Sequence, residues 1–215
     1  MTDDLGLREQ LVAAVRRLDE LGLNRGSTGN ASVRGSAGGC WITPTGMGAE
    51  IGVDDLVFVS DDGSVRGAWQ PSSEAPFHRA IYAMRADLHA VVHAHCVHAT
   101  ALACLRRPLP AFHYMVAVAG GDSVPCVPYH LFGTEALSQA VAQAFAERHA
   151  CLIANHGLVA GGTSLAHAMK VALEVESLCE TYLAALAAGE PTLLSRDEMA
   201  AVIARFNTYK AERRY

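Results

Sequence analysis

Short apolar runs alternate with longer amphipathic ones along the whole chain, and that alternation restricts the folds open to it. Residues 5–22, about 76–84, 96–105, 134–148, 164–188 and 195–206 read as helices. Between them 40–44, 56–60, 64–69, 90–95, 124–130 and 151–154 read as strands or extended segments, and 24–30 and 106–123 as loops. In the first helix Leu11, Val12, Val15, Leu18 and Leu21 fall on one face, the spacing of a helix laid on a core, and Gly22 ends it. Helices that each bury one stripe, interleaved with strands, give an α/β/α layered architecture. The order of the strands is not legible at this level. No repeat, low-complexity tract or linker divides the 215 residues, so 1–215 is expected to be one domain.

Composition removes several classes of function. Hydrophobic residues make up 51% and charged ones 18%, enough apolar surface to exclude a disordered chain. Lys and Arg total 17 against 22 Asp and Glu, a net charge of −5 without the basic footprint of a nucleic-acid binder. No apolar run reaches membrane-spanning length, because 165–188 is interrupted by Lys170, Glu174, Glu176 and Glu180. The start of the chain shows no basic segment followed by an apolar one, and the six cysteines show no C-x-x-C spacing. A cytoplasmic protein with reduced thiols, no membrane and no nucleic-acid partner is expected.

Ten histidines remain to be explained. His93 and His95 stand at i and i+2 of a strand, so both rings point to one face, their Cα atoms about 6.5 Å apart. His156 ends another apolar strand and is followed by Gly157, where the chain must turn. Three imidazoles leave a fourth position for a carboxylate, water or substrate, as catalytic zinc sites do. Taken alone, the pair reads more readily as one core and one surface histidine. His78, His89, His98, His113, His130, His149 and His167 read as surface or supporting residues. Glu74, in Pro71-Ser72-Ser73-Glu74-Ala75-Pro76, is the natural carboxylate partner, although an acid at a helix entry is also a common surface cap. The segments 26–32, 43–46 and 72–73 offer the backbone N–H groups and hydroxyls that hold a phosphate without basic residues, and each alone reads more readily as a turn.

In chain order, 21–34 (LGLNRGSTGNASVR), 42–46 (ITPTG), 71–74 (PSSE), 90–95 (AVVHAH) and 155–158 (NHGL) resemble the class II aldolase/adducin family. Residues 109–115 (LPAFHYM) and 119–121 (AGG) are most similar to its L-fuculose-phosphate aldolase branch. The resemblance implies a mixed, largely antiparallel sheet in an α/β/α sandwich and a homotetramer with sites between subunits. It implies zinc, or manganese or cobalt, on Glu74, His93, His95 and His156, with Glu74 also the base. Substrate phosphate is expected at Gly29, Asn30, Thr45, Gly46, Ser72 and Ser73. Tyr114 is the expected proton donor, reaching a neighbouring subunit's site, and Phe132, Phe206 and Tyr209 the wall around the aldehyde. The activity implied is reversible cleavage of a ketose 1-phosphate, such as L-fuculose 1-phosphate, to dihydroxyacetone phosphate and a small aldehyde, through a metal-stabilised enediolate. On the same scaffold a 5-deoxyribulose-1-phosphate aldolase, a pentulose-phosphate 4-epimerase, a dehydratase or a decarboxylase are alternatives, as is a non-catalytic adducin-like module. Ala94 between the histidines, Asn155 before His156 and the tail beyond Tyr209 depart from the branch.

Overall fold

The structure is a computed structural model that describes residues 4–24 and 26–212, with the side chains of Asn207 and of 209–212 outside the description. Eight strands form its sheet: β1 (Asn30–Arg34), β2 (Cys40–Ile42), β3 (Val57–Val59), β4 (Val65–Arg66), β5 (Ala90–Ala94), β6 (Cys126–Val127), β7 (Ala150–Ile153) and β8 (Gly157–Gly162). Their order across the sheet is β4-β3-β2-β1-β5-β8-β7-β6. Every neighbouring pair is antiparallel except β6 with β7, so the sheet is mixed and largely antiparallel, as the resemblance implies.

Side-chain alternation divides the apolar residues into two layers. On β5, Ala90, Val92 and Ala94 face one way and Val91 the other; on β7, Ala150 and Leu152 oppose Cys151 and Ile153. The first face is covered by α1 (Leu5–Glu20), α3 (Val97–Cys104) and α5 (Leu165–Ala188), and the second by α2 (Ala75–Met84) and α4 (Glu135–Ala144). A last helix, α6 (Arg196–Glu212), lies against the 3-10 turn Tyr114–Ala119. Burying both faces lets the central strands run almost wholly apolar. His93, two residues after Val91, therefore points into the α2/α4 layer.

The sequence expectations for all six helices and for the strands near 40, 57, 65, 90, 126 and 150 correspond to observed elements, with all of these strands but the last shorter than read. Two strands were not legible. β1 starts inside the segment read as a loop; Ala31 and Val33 face the α1/α5 layer, but the face turned to α2 carries Asn30 and Ser32, which breaks the apolar run of a central strand. β8 reads GLVAGG, a glycine content that argues against a strand. Its glycines answer to close packing: a Cβ on Gly162 would lie 2.4 Å from the Ala168 nitrogen of α5.

Phe145, fully buried at the end of α4, fills the α2/α4 layer beneath β8. Its replacement, Phe145→Ala, is expected to cost roughly 3–5 kcal/mol of stability. Urea unfolding checks this through a lowered midpoint at unchanged slope.

Candidate active site

The two central strands β5 and β8 bring the histidines together. His93 lies in β5, fully buried, with Phe77 of α2 edge-on to its ring at 5.7 Å between centroids. His95 follows just beyond the strand end on the same face. His156 sits in the tight turn between β7 and β8, whose preceding residue Asn155 has φ +54°, a left-handed conformation that asparagine tolerates. The Arg106 Nε donates to Asn155 Oδ1 at 2.8 Å, and the Asn155 N–H donates to the Ala103 carbonyl at 3.1 Å, holding that turn against the end of α3. Gly157 completes it: a Cβ there would lie 2.6 Å from the Ala94 carbonyl oxygen and 3.0 Å from the His95 ring. The three rings stand nearly perpendicular to one another, 4.8–5.0 Å between centroids, and one nitrogen from each lies within 4.8 Å of the others.

Proton positions follow from the partners. His93 Nδ1 is 2.9 Å from the Leu158 carbonyl, which can only accept, so Nδ1 carries the hydrogen and Nε2 presents a lone pair. That lone pair faces His95 Nε2 at 2.9 Å and Glu74 Oε2 at 3.2 Å. The other carboxylate oxygen, Oε1, lies 3.2 Å from His156 Nε2 and accepts no hydrogen bond. A tetrahedron of ligands around zinc has edges of about 3.4 Å, so these spacings suit a single ion. Burial depresses all three imidazoles below their ordinary 6.5, in His93 with the neighbouring His156 and His95 adding to it. In His156 the Glu74 carboxylate opposes the shift. Three imidazoles shifted towards the neutral form, their nitrogens converging, and one carboxylate are the donor set that a divalent cation requires.

Glu74 occupies the N-cap position of α2 yet makes no side-chain cap; it is buried and turned to the histidines, which removes the surface-cap reading. The loops expected to hold phosphate gather around it. The Ser72 Oγ accepts from the Glu74 N–H at 3.2 Å, and the Ser72 N–H donates to the Thr43 carbonyl at 3.0 Å. The Thr45 hydroxyl donates to the Pro71 carbonyl at 2.9 Å and the Thr45 N–H to the Gln70 carbonyl at 3.2 Å, so segments 43–46 and 70–73 run side by side. Thr45, Gly46 and Ser73 are exposed, while Gly29 lies against the backbone of His93. Like both donors of Thr45, both ends of the Asn30 amide are already engaged, by Glu74 and by His78.

Other expected residues stand apart from the cluster. Tyr114, half exposed, begins the 3-10 turn with its ring against His113, and no hydrogen bond or ring contact links it to the cluster among the described residues. Phe132 is 61% exposed, in a turn whose next residue, Gly133, lies against the Ser73 carbonyl. Phe206 is partly exposed on α6, and the side chain of Tyr209 lies outside the described residues.

Sequence reasoning passed over Tyr82, took Ser32 only as part of a phosphate-type segment and His78 only as a surface or supporting residue; all three are buried and hydrogen-bonded behind Asn30. The signal was present, since His78 is one helical turn beyond Glu74 and Ser32 shares a strand face with Asn30. His98 proves to be a structural partner, its Nδ1 2.9 Å from Glu176 Oε1 of α5, while that carboxylate accepts from the His98 and Ala99 N–H groups at the start of α3.

Comparison with known proteins adds an independent line. Residues 9–183 match the family described as Class II Aldolase and Adducin N-terminal domain. The chain is 47% identical over 206 residues to a 5-methylthioribulose-1-phosphate/5-deoxyribulose-1-phosphate aldolase of Rhodospirillum rubrum, covering 95% of this chain and 93% of that protein. It is 45% identical over 205 residues to an L-fuculose phosphate aldolase of Escherichia coli, covering 94% and 95%. A solved L-fuculose 1-phosphate aldolase superposes with a TM-score of 0.91 at 38% identity, covering 96% of this chain and 98% of that one.

Two outcomes follow from this geometry. Gly157→Ala should push the turn off β5 and weaken the affinity of the cluster for an added divalent cation, measured by titration, at least tenfold on the scale of a displaced supporting contact (roughly 10–100-fold). Acid should also destabilise the metal-free protein. His78, His93, His95 and His156 all have depressed values in the folded chain, so the unfolded chain binds protons first as pH falls below 6.5. Stability is therefore full above that value, and the thermal midpoint should drop below it.

Proposed function

The chain belongs to the class II aldolase/adducin family, and from that premise we propose that it cleaves a ketose 1-phosphate reversibly into dihydroxyacetone phosphate and a small aldehyde. The observation that carries this reading is the meeting of His93 Nε2, a lone pair by virtue of the Leu158 carbonyl, with His95 and the Glu74 carboxylate at 2.9 and 3.2 Å. His93, His95, His156 and Glu74 would hold a divalent cation, zinc in the first instance and manganese or cobalt as substitutes. Such an ion supplies Lewis acidity for the negative charge that develops on the ketone oxygen as the C3–C4 bond opens.

The remaining roles belong to the chain itself. Gly29, Asn30, Thr45, Gly46, Ser72 and Ser73 form the phosphate site, with the Ser72 and Ser73 hydroxyls among its donors; before substrate arrives the Asn30 amide serves Glu74 and both Thr45 donors serve the Pro71 and Gln70 carbonyls. Anchoring fixes the three-carbon half in register before any bond changes. In the cleavage direction the C4 hydroxyl proton passes by way of Tyr114, presented by a second subunit of a homotetramer, to solvent, while the C3–C4 electron pair passes to the three-carbon half and the aldehyde leaves. Glu74, protonated from solvent, gives its proton to that carbon and is left as the carboxylate. Phe132, Phe206 and Tyr209 line the aldehyde end. Residues 1–215 constitute one domain in this reading, and the protein is cytoplasmic; no described helix is long and apolar enough to cross a membrane.

The relatives' names divide between L-fuculose phosphate and the 5-methylthioribulose or 5-deoxyribulose 1-phosphates at 45% and 47% identity, too close to separate them. A coupled assay for dihydroxyacetone phosphate over these three substrates, with and without zinc, does so. Triose release is expected from at least one, and its absence from all would reject aldol cleavage in favour of epimerisation or another reaction of the scaffold. Glu74→Gln should retain most of the metal and lose about 10²-fold or more in turnover. Tyr114→Phe should slow cleavage with little change in the affinity for inorganic phosphate, and unchanged cleavage kinetics would remove its role.

A further inference from the structure

Behind the proposed base lies a buried chain of polar groups that the roles above leave without a purpose. Glu74 Oε2 is 2.8 Å from Asn30 Nδ2; Asn30 Oδ1 is 2.6 Å from His78 Nε2. His78 Nδ1 is 2.7 Å from the Ser32 Oγ, itself 2.7 Å from the Tyr82 hydroxyl. Asn30, Ser32, Glu74, His78 and Tyr82 are all more than nine-tenths buried, on β1 and on α2 with its N-cap. Phe77 and His78 also stack, 4.7 Å between centroids, and Phe77 abuts His93.

The direction of each hydrogen bond is forced. An ionised carboxylate only accepts, so the NH₂ end of Asn30 faces Glu74 and its carbonyl end faces His78. That carbonyl also only accepts, so His78 carries its hydrogen on Nε2. With His78 neutral, Nδ1 must accept, the Ser32 hydroxyl must donate to it, and the Ser32 oxygen is left to accept from the Tyr82 O–H. Every donor thus points towards Glu74, and all of them end on Oε2. The other oxygen, Oε1, is buried, lies 3.2 Å from His156 Nε2 on the side of the histidine cluster, and accepts no hydrogen bond.

We propose that Tyr82, Ser32, His78 and Asn30 form a one-way hydrogen-bond chain that holds the Glu74 carboxylate by Oε2 and reserves Oε1 as the oxygen that carries the transferred proton. The four are positioning residues, acting on the reaction only through Glu74. The inference rests on the reading of Glu74 as the proton-transfer group. It explains why a polar string crosses a layer otherwise filled by Phe77, Ile81, Leu137 and Phe145, where an apolar set of equal volume would be at least as stable. A carboxylate free to rotate would present either oxygen. One pinned by a charge-assisted hydrogen bond presents a single oxygen in a fixed orientation.

The test has two arms. In ¹⁵N-histidine-labelled protein, with and without zinc, the imidazole resonances of His78, assigned by their loss in His78→Leu, are expected to show the Nε2–H tautomer. An Nδ1–H tautomer or an imidazolium would overturn the forced direction, whatever reaction the protein performs. In the aldol assay, His78→Leu is expected to lower kcat by about tenfold or more, the order of one charge-assisted hydrogen bond, with KM and zinc content near wild type. His78→Gln, whose amide can still donate to Asn30, should recover most of that loss. Equal kcat in wild type and His78→Leu, or equal loss in the Leu and Gln variants, would assign the chain to folding alone. Should His78→Leu fail to fold, Ser32→Ala removes one oxygen from the same string and is read by the same kcat-against-KM split. If wild-type protein cleaves no ketose phosphate, the aldolase reading fails while the tautomer result still decides the chain of bonds.

Discussion

The hydrogen bond from His93 Nδ1 to the Leu158 carbonyl organises the centre of this molecule. It joins β5 to β8 by a side chain in addition to the ladder, and it satisfies the buried polar end of a ring placed where the alternation of β5 asks for an apolar residue. It also decides which nitrogen looks outward. Without that carbonyl the Nε2 lone pair would have no assigned direction, and the convergence with His95, His156 and Glu74 would be geometry without chemistry. Phe77 closes the remaining side of the ring, so the layer that stabilises the sheet also orients the cluster.

Simple periods made parts of the site visible as candidates: the i, i+2 relation of His93 and His95 on a strand, and the Pro-marked entry of α2 at Glu74. Taken alone they read as a core and a surface histidine and as a surface cap, and only the family resemblance joined them into one site. Their meeting with His156 was not derivable from spacing, since it depends on β8 lying beside β5, and β8 reads as a glycine-rich turn. The Asn30–Ser32 face was hidden for the opposite reason: an inward polar face imitates an outward one when the pattern is read without a partner. His78 was set aside as a surface or supporting residue because a helix tolerates histidine anywhere. Only the buried partners at both ring nitrogens reveal that it is fully committed.

The acidic balance of the chain bears little on the proposed substrate. An anion can be held by oriented N–H groups and hydroxyls next to a cation, so a net charge of −5 and a phosphorylated ligand are compatible. The loops that offer those groups are fastened to one another by backbone bonds between 43–45 and 70–72 and to Glu74 through Ser72, so displacement of one loop carries the carboxylate with it.

The topology has a kinetic consequence. Glu74, the His93–His95 pair and His156 arrive on separate stretches, and the pair meets His156 only when β8 closes back onto β5 across the intervening α3, α4 and β7. A chain that has not yet made this long-range pairing would offer an ion only the two histidines at the end of β5, fewer donors than the completed cluster. A divalent cation held by all four residues would therefore lock a finished sheet rather than nucleate its folding.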